Sequence, residues 1–373
     1  MTDIVLVKSD PIINQPSMRD QKIIRSLRKR YSLFVLGWNL QGILSKNNIN
    51  TNQTKFFNLR GPVGTERFGA LIPYLPLFWI WVFLNLCRIR PKCVHACDLS
   101  TVVPCYLYKV LFRKRLVFDI FDRYAMAFIP RNRNIFFKTF YSLVNRLEEN
   151  FAKRSDVLIN VSDKILETFG KKSKRCLTIM NCSEDKLANR SKLKTGVFKI
   201  LFTGHVRRGR GLELLPEIMN DLKGVKVLIT GRAEDKKLLG NVEKIPSTKY
   251  LGFLEHEQVL DFEVSVDVMI ALYDLNLQIQ NRYVVGNKLF EAMMCGTPII
   301  TNVARDVVDE TKCGIVVNYE NTKCIREAIV KLRDNPDLVD KLGNNGRRAF
   351  LENYNWSVME KKLFRLYDDL LNA

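Results

Sequence analysis

The sequence predicts an α/β protein that contains two parallel-sheet units in one chain. The chain has 373 residues, which is too long for one ordinary hydrophobic core and suits two domains of about 150–200 residues each. Short apolar runs alternate with helix-patterned segments in both halves, and this order builds parallel sheets. Apolar residues make up 47% and charged residues 26%, so disordered and collagen-like chains are excluded.

The first half begins with a strand, a helix and a second strand. Residues 4–7 form a short apolar run, residues 19–30 show helical spacing, and residues 32–36 form the next apolar run. The later elements predicted for this half are strand ends at 94–98 and 116–122, an amphipathic helix at 136–151 and a strand at 157–161. A basic, polar segment at 171–194 follows, and its end is predicted to be the linker between the domains.

The second half repeats the pattern. A strand at 198–203 leads into a glycine-rich loop at 204–211 and a helix at 212–222. Further predicted elements are strands at 225–230, 249–253, 266–271, 298–301 and 314–317, and helices at 287–295 and 357–371. The predicted domains are residues 1–190, residues 191–355 and a final helical segment at 356–373.

Residues 70–87 form the most apolar stretch of the chain. Its length is near the lower limit for spanning a bilayer, at about 18 residues, and Pro73 and Pro76 shorten the helix further. One interpretation is a helix packed on the sheet, and a transmembrane span is the weakest alternative. A third interpretation is an interfacial helix that places four aromatic side chains in lipid: Phe78, Trp79, Trp81 and Phe83.

The net charge of +20 favours an anionic partner. Nucleic acid, an anionic membrane and a phosphorylated small molecule all fit, although no nucleic-acid-binding motif is present, so nucleic acid is not expected. Lys22, Arg25 and Lys29 are predicted to share one polar helix face. Together with the apolar stretch, this face suggests docking onto anionic lipid.

The cysteines and histidines show no metal-binding spacing. Nine cysteines are present without a second closely spaced pair, and His95, His205 and His256 are scattered. The sequence therefore predicts no metal site. Free thiols suit a cytoplasmic protein, as does an N-terminus with an early acid and only a short apolar run, which predicts a first strand and not a signal peptide.

A first candidate site is the loop from Gly204 to Gly211. Its glycines allow the backbone to approach a ligand, and Arg210 lies beside the start of the next helix, where a diphosphate would be favoured. The alternative is a solvated basic turn.

A second candidate site is the helix that starts near Gly286 and Asn287 and ends at Gly296. Amides at its N-terminus can bind a phosphate. Glu291 lies inside the helix, where its carboxylate can accept hydrogen bonds from ribose hydroxyls, although a surface acid is the usual alternative for a lone glutamate.

The run from Lys288 to Ile300 resembles the donor-site helix of retaining GT-B glycosyltransferases, particularly glycosyltransferase family 4. The family pattern has two glutamates eight residues apart. Glu291 matches the second, and Tyr283 stands in place of the first. A related pattern, N-K-L-x-E, is matched by Asn287, Lys288, Leu289 and Glu291.

Other landmarks extend the resemblance from residue 198 onward. It implies that Arg210 takes the place of the diphosphate-binding lysine and His205 that of its arginine partner. Gly231 and Arg232 resemble the strand end that lies before the base-binding segment of the family. Phe253 and Leu254 resemble that segment, whose backbone recognises the base of the donor nucleotide. In the first half, residues 119–122 resemble a strand end near the reacting anomeric carbon.

The resemblance implies two Rossmann-like domains facing across a cleft, with a C-terminal helix that crosses back to the first domain. It also implies a metal-independent retaining enzyme, and the chain contains no D-x-D triplet. The implied catalytic residues are Glu291, Arg210 and Asp122; the implied donor-binding residues are Gly204, His205, Arg210, Gly231, Arg232, Phe253, Leu254, Gly286, Asn287, Lys288, Leu289 and Glu291.

The expected donor is a UDP- or GDP-sugar, with no separate cofactor. The expected acceptor is a glycan or a lipid-linked precursor, reached from the cytoplasm or as a peripheral membrane protein. Alternatives are another GT-B activity, such as a sugar-nucleotide epimerase or a phosphorylase, and a non-catalytic basic binding protein.

Overall fold

A computed structural model describes residues 2–9, 19–39, 53–59, 72–121, 135–169, 175–187, 196–277 and 286–372. The chain divides into two compact units. The first unit comprises Met1–Asn181 and Met359–Ala373, and the second comprises Cys182–Val358. Each unit is built on a parallel sheet, so the predicted Rossmann-like α/β class is confirmed.

The first unit has a seven-stranded sheet in the order β3-β2-β1-β4-β5-β6-β7. Its strands are β1 (Ile4–Lys8), β2 (Leu33–Trp38), β3 (Thr54–Phe57), β4 (Cys93–Cys97), β5 (Arg115–Ile120), β6 (Val157–Asn160) and β7 (Cys176–Thr178). Its helices are α1 (Arg19–Arg28), α2 (Leu75–Ile89), α3 (Leu99–Phe112), α4 (Ile135–Arg154) and α5 (Asp163–Phe169). The central strand β4 is buried at every residue, as expected for a parallel strand covered on both faces.

Strand order decides which helices share a face of this sheet. The chain moves from β1 to β2 in one direction along the sheet, and from β3 through β4 and β5 to β6 in the other. Because such crossovers are right-handed, α1 lies on one face and α2, α3 and α4 lie on the opposite face. The final helix of the chain, Trp356–Asn372, packs beside α1: Lys29 Nζ lies 2.7 Å from Glu360 Oε1, and Tyr31 Oη donates to Asp368 Oδ1 at 2.8 Å.

These contacts correct the predicted basic face of α1. Lys22 is only 3% exposed, and Lys29 is paired with Glu360. Of the three predicted residues, Lys22 is therefore buried and Lys29 pairs with the final helix, whereas Arg25 is exposed. A second difference concerns the start of the basic, polar segment 171–194, where no strand was predicted but β7 forms at the edge of the sheet.

A buried polar network lies within the first unit. His95 on β4 bonds Tyr367 Oη through Nδ1 at 2.6 Å and Asp119 Oδ2 through Nε2 at 3.1 Å. Arg19 Nη2 donates to the other oxygen of Asp119 at 2.9 Å. Burial would raise the pKa of Asp119, but Arg19 and His95 together hold that pKa below its usual value.

The apolar stretch forms α2, which packs one side on the sheet. Phe78, Val82 and Leu86 are fully buried, and the Phe78 ring stacks on Trp38 with centroids 4.9 Å apart. Phe78 is thus a core residue and does not face outward as the interfacial interpretation expected. Residues Ile72–Ile89 are long and apolar enough to cross a membrane by length and composition alone, with a mean hydropathy of 1.5.

The second unit has a six-stranded sheet in the order β10-β9-β8-β11-β12-β13. Its strands are β8 (Phe198–Thr203), β9 (Val225–Thr230), β10 (Thr248–Tyr250), β11 (Val268–Ala271), β12 (Ile299–Thr301) and β13 (Gly314–Val316). Its helices are α6 (Leu215–Ile218), α7 (Lys236–Glu243), α8 (His256–Ser265), α9 (Asn287–Cys295), α10 (Arg305–Thr311), α11 (Thr322–Arg333) and α12 (Pro336–Glu352). The helix at the end of the chain is α13 (Trp356–Asn372).

The helix predicted at 212–222 is much shorter in the structure. A 3₁₀ turn at Leu212–Leu214 precedes α6, which ends at Ile218. Pro216 lies in the first turn of α6, where it is tolerated. The loop that precedes this turn is therefore followed by only a brief helical segment.

Candidate functional site

The sheet of the second unit has a topological switch between β8 and β11. The chain leaves β8 toward β9 on one side, and it leaves β11 toward β12 on the other. In open parallel sheets, ligands bind outside the carboxyl ends of the strands at such a point. The loop 204–211 follows β8 and residues 272–274 follow β11, so both begin at this edge.

Two glycines allow the strand ends to approach each other closely. Gly204 and Gly231 both adopt positive φ, at 118° and 139°. A Cβ atom on Gly231 would lie 1.7 Å from the carbonyl oxygen of Gly204. The Gly204 amide donates to Thr230 O at 2.9 Å, and the Gly231 amide donates to Gly252 O at 3.0 Å. Side chains are thus excluded from the floor of the site.

Arg210 lies over the residues that follow β11. Its Cζ is 4.7 Å from the centroid of the Tyr273 ring, and its buried Nε has no hydrogen-bond partner. Burial lowers the pKa of the Arg210 guanidinium, which nevertheless remains charged. Glu213 fixes the loop by accepting hydrogen bonds from the Gly209 amide and from Tyr319 Oη.

Lys288 brings a second cation to the same edge of the sheet. It lies in the first turn of α9, and its Nζ is 2.8 Å from the position that a Cβ of Gly204 would occupy. Burial and the nearby charge of Arg210 lower the pKa of Lys288 to about 8. Within the described ranges, Nζ makes no ion pair. Its 4.7 Å approach to the Phe202 ring is a cation–π contact.

The helix α9 directs its N-terminus toward these cations. Gly286 is its N-cap and has extended backbone, and no side chain caps the helix there. Asn287 is exposed and Leu289 is buried in the core. The N-terminal amides and the helix dipole favour an anion at this position.

Glu291 is the acid on this helix. Its side chain is 17% exposed, and its Oε1 lies 3.9 Å from His256 Nδ1. Glu291 also acts electrostatically on Lys288, since it opposes the lowering of the lysine pKa. The carboxylate therefore lies near the cations and retains some access to solvent.

His205 has a different partner from the one that the sequence resemblance implies. Its Nδ1 lies 2.5 Å from Glu234 Oε1, and Arg207 Nη1 lies 3.7 Å from the other oxygen of the same carboxylate. His205 is about half exposed. The structure thus assigns His205 to a surface pair beside the loop, whereas Arg210 and Lys288 are partly buried cations.

An exposed aromatic residue follows β10. Phe253 is 57% exposed, and Arg232 Cζ is 5.2 Å from its ring centroid. Leu254 is half-buried beside it. Tyr250 Oη donates to Gly231 O at 2.7 Å and connects this segment to the strand ends. A flat ring with an adjacent cation is a suitable surface for stacking a base.

Asp122 lies outside the described residues, as does Tyr283. The preceding Phe121 has Lys8 Nζ and Arg19 Cζ each 4.4 Å from its ring centroid. Two cations therefore lie beside the end of β5.

Sequence reasoning missed several residues of the second-unit site. Tyr273 and Glu213 hold Arg210 and its loop, and Glu263 and His256 lie beside the charges of α9. Tyr273 could have been found, because it comes directly after a buried strand. Asp267, which directly precedes β11, accepts a hydrogen bond from the Lys199 amide of β8 at 2.7 Å and so joins these two strands. Among the described residues, no cluster of His, Cys, Asp and Glu could hold a metal ion.

Comparison with known proteins agrees with this arrangement. Residues 197–335 match the family described as Glycosyl transferases group 1. An uncharacterized glycosyltransferase of Methanocaldococcus jannaschii is 25% identical, with 87% of this chain and 89% of that protein covered. The capsular polysaccharide biosynthesis glycosyltransferase CapM of Staphylococcus aureus is 25% identical over 189 residues, which cover 48% of each chain.

Solved structures share the fold over the whole chain. Sucrose-phosphate synthase from Thermosynechococcus elongatus aligns with a TM-score of 0.73 and 16% identity, with 100% of both chains covered. HepE of Anabaena in complex with UDP aligns with a TM-score of 0.71 and 12% identity, with 98% of this chain and 100% of that chain covered. The chain is therefore a glycosyltransferase with the GT-B fold, and its residues 197–335 are similar to the group 1 family.

Proposed function

We propose that this glycosyltransferase uses a nucleotide-sugar donor whose diphosphate lies at the carboxyl edge of β8 and β11. The observation that carries this proposal is the pair of partly buried cations, Arg210 and Lys288, beside the uncapped N-terminus of α9. A nucleoside diphosphate gains negative charge as it leaves the sugar. Fixed cations and helix amides stabilise such charge in the transition state without reorganising.

The remaining donor contacts follow from the same geometry. Glu291 has an accessible carboxylate that can accept hydrogen bonds from the donor ribose, and Phe253 with Arg232 offers a surface for the base. UDP is the first nucleotide to test, because HepE of Anabaena was solved in complex with UDP. No metal ion or other cofactor is needed for these contacts.

The acceptor is proposed to be a lipid-linked glycan precursor, with transfer that retains the anomeric configuration. CapM is named for capsular polysaccharide biosynthesis, which supports a growing glycan as acceptor. The +20 net charge supports work at an anionic membrane face in the cytoplasm. Retention is tested by following the anomer of the first product by NMR.

The donor site is tested by nucleotide binding and turnover in single variants. We expect UDP to raise the melting temperature selectively over ADP, GDP and TDP. Arg210→Ala is expected to lower kcat by about 10²- to 10³-fold, as when one preorganised charge stabiliser is removed. Glu291→Gln should weaken UDP binding, because an amide is a poorer acceptor for two hydroxyls.

The matched control is Arg208→Ala. Arg208 lies in the same loop and carries the same charge, but its side chain is 75% exposed. Its Nε lies 4.0 Å from Asp235 Oδ2, which is a long ion pair. Equal losses in Arg208→Ala and Arg210→Ala would mean that net charge, and not the buried guanidinium, matters. Unchanged turnover in Arg210→Ala would refute the proposed site.

A further inference from the structure

The outer side of α2 is as apolar as its inner side. Leu77, Ile80 and Leu84 are each between 52% and 59% exposed, and their spacing of three and four residues places them on one helix face. The opposite face of the same helix buries Phe78 and Val82 against the sheet. A helix in a water-exposed layer normally shows polar residues on its outer face, so this surface needs a further explanation.

The two neighbouring helices continue the same pattern. On α3, Leu107, Val110 and Leu111 are between 50% and 64% exposed. On α4, Leu143 and Leu147 are 53% and 40% exposed and lie one turn apart. We call these eight side chains on α2, α3 and α4 the apolar helix face.

Direct contacts join the three helices that carry the apolar helix face. Trp79 Nε1 on α2 donates to Ser100 O on α3 at 2.7 Å, and the ring centroids of Tyr106 on α3 and Phe151 on α4 are 5.6 Å apart. The three helices also share one side of the sheet. Contiguous exposed apolar surface of this kind marks a site of interaction with another molecule.

The charges along the segment that carries α2 and α3 are almost all positive. Between residues 72 and 118 the only acid is Asp98. The same segment contains seven cations: Arg88, Arg90, Lys92, Lys109, Arg113, Lys114 and Arg115. Arg88 and Arg113 lie at the C-terminal ends of α2 and α3, which meet at the same edge of the sheet, and neither makes an ion pair within the described part of the chain.

We propose that the apolar helix face docks onto an anionic lipid bilayer. The exposed leucine, isoleucine and valine side chains enter the boundary between headgroups and acyl chains, and the basic helix ends contact lipid phosphates. This inference rests on the proposed function, because the acceptor proposed there is linked to a lipid. It names the surface through which the enzyme reaches that acceptor at the membrane.

Two other occupants fit the surface less well. A transmembrane helix would have to expose Phe78, Val82 and Leu86, which are fully buried in the sheet core. In a symmetric dimer through this face, each patch meets its own copy. Two copies that each carry the basic helix ends at the border of this face would repel each other, whereas anionic headgroups complement these charges.

The test is vesicle co-sedimentation of the full chain. Vesicles of phosphatidylcholine alone are compared with vesicles that contain roughly one-third phosphatidylglycerol. In the variant Leu77→Gln/Ile80→Gln/Leu84→Gln, the partition coefficient should fall by at least about tenfold. In Arg88→Gln it should fall by about fivefold, and only on the anionic vesicles. Val197→Gln/Leu351→Gln is the matched control, because these apolar residues are about half exposed in the second unit.

Two readouts distinguish the outcomes. Nucleotide-induced thermal shifts should be the same in all these variants, which shows that they fold and that the donor site is intact. Vesicle binding without any nucleotide effect would reject the donor proposal and keep this one. Equal vesicle binding by the parent and the triple variant would overturn the docking surface, as would a parent dimer in light scattering that the triple variant abolishes.

Discussion

Lys288 holds its charge in surroundings that disfavour it. Burial beside Arg210 lowers its pKa to about 8, more than two units below an ordinary lysine. The cost of the buried charge is recovered when a diphosphate binds, because the ligand supplies the missing negative charge. In contrast, Arg210 stays charged at every relevant pH, so the two cations respond differently to pH.

This difference predicts how donor affinity depends on pH. Above pH 8 the free protein loses the Lys288 proton, whereas the complex keeps it because a bound diphosphate raises the lysine pKa. Binding then requires proton uptake, so the Kd for UDP should rise by up to about tenfold per pH unit above pH 8. Calorimetric titrations between pH 7 and pH 10 measure this slope.

Lys288→Arg is the control for that slope. An arginine stays protonated over the whole range, so its Kd, even if higher, should not change with pH. A Kd of the parent protein that is constant from pH 7 to pH 10 would show that Lys288 does not contact the diphosphate.

At the scale of elements, the site depends on the approach of two strand ends. β8 and β9 pair in parallel along their whole length, and they end in Gly204 and Gly231. The next residues can leave the sheet only because neither position carries a side chain. The loop after β8 is then held by Glu213 and Tyr319.

Gly231→Ala should disrupt this junction. The residue has a φ of 139°, and a Cβ would meet Gly204 O at 1.7 Å. We expect a loss of roughly 2–4 kcal/mol in the free energy of unfolding, measured by denaturant unfolding. Gly240→Ala is the matched control. It lies in α7 with no atom near its Cβ, so it should be neutral or stabilising by up to about 1 kcal/mol. Equal stability of the two variants would contradict the close approach.

At the scale of the whole molecule, the last helix completes the first unit. Residues Met359–Ala373 belong to that unit although the second unit precedes them in the chain. Tyr367 in this helix is fully buried and bonds His95. The chain therefore returns to supply a partner that the network of Arg19, Asp119 and His95 lacks.

Tyr367→Phe tests this role of the chain end. The change leaves a buried histidine nitrogen without its partner, so the free energy of unfolding should fall by about 1–3 kcal/mol. The control is Tyr106→Phe, because the Tyr106 hydroxyl makes no hydrogen bond within the described residues while its ring keeps the contact with Phe151. Identical unfolding midpoints for both variants would show that the Tyr367 hydroxyl adds nothing.

The net charge of +20 also acts at the scale of the whole molecule. It attracts anionic ligands and membranes alike, but it does not say where they bind. In the first unit, Lys22 of α1 is buried and Lys29 pairs with Glu360 of α13, whereas Arg88 and Arg113 at the ends of α2 and α3 are exposed. Position, and not composition, separates the two groups.

Local patterns were sufficient for the elements that position the donor site. The ranges of β8, β9 and α9 agree with the predicted ones, because glycines end each strand and helix and the apolar runs are continuous. Seven helices and two strands of the described part of the chain were not predicted: α3, α5, α7, α8, α10, α11, α12, β3 and β7. The helix predicted at 212–222 was too long, because the turn that fixes the Arg210 loop overrides the helical pattern.

The sequence by itself determined two parallel α/β units, the glycine-rich loop and the donor helix, since these depend on residues close together along the chain. Only the tertiary structure decided that Lys288 meets Gly204, that His205 pairs with Glu234, and that Lys22 is buried while the apolar helix face stays exposed. These contacts join residues far apart in sequence. Whether a charge or an apolar side chain is buried depends on which element packs over it.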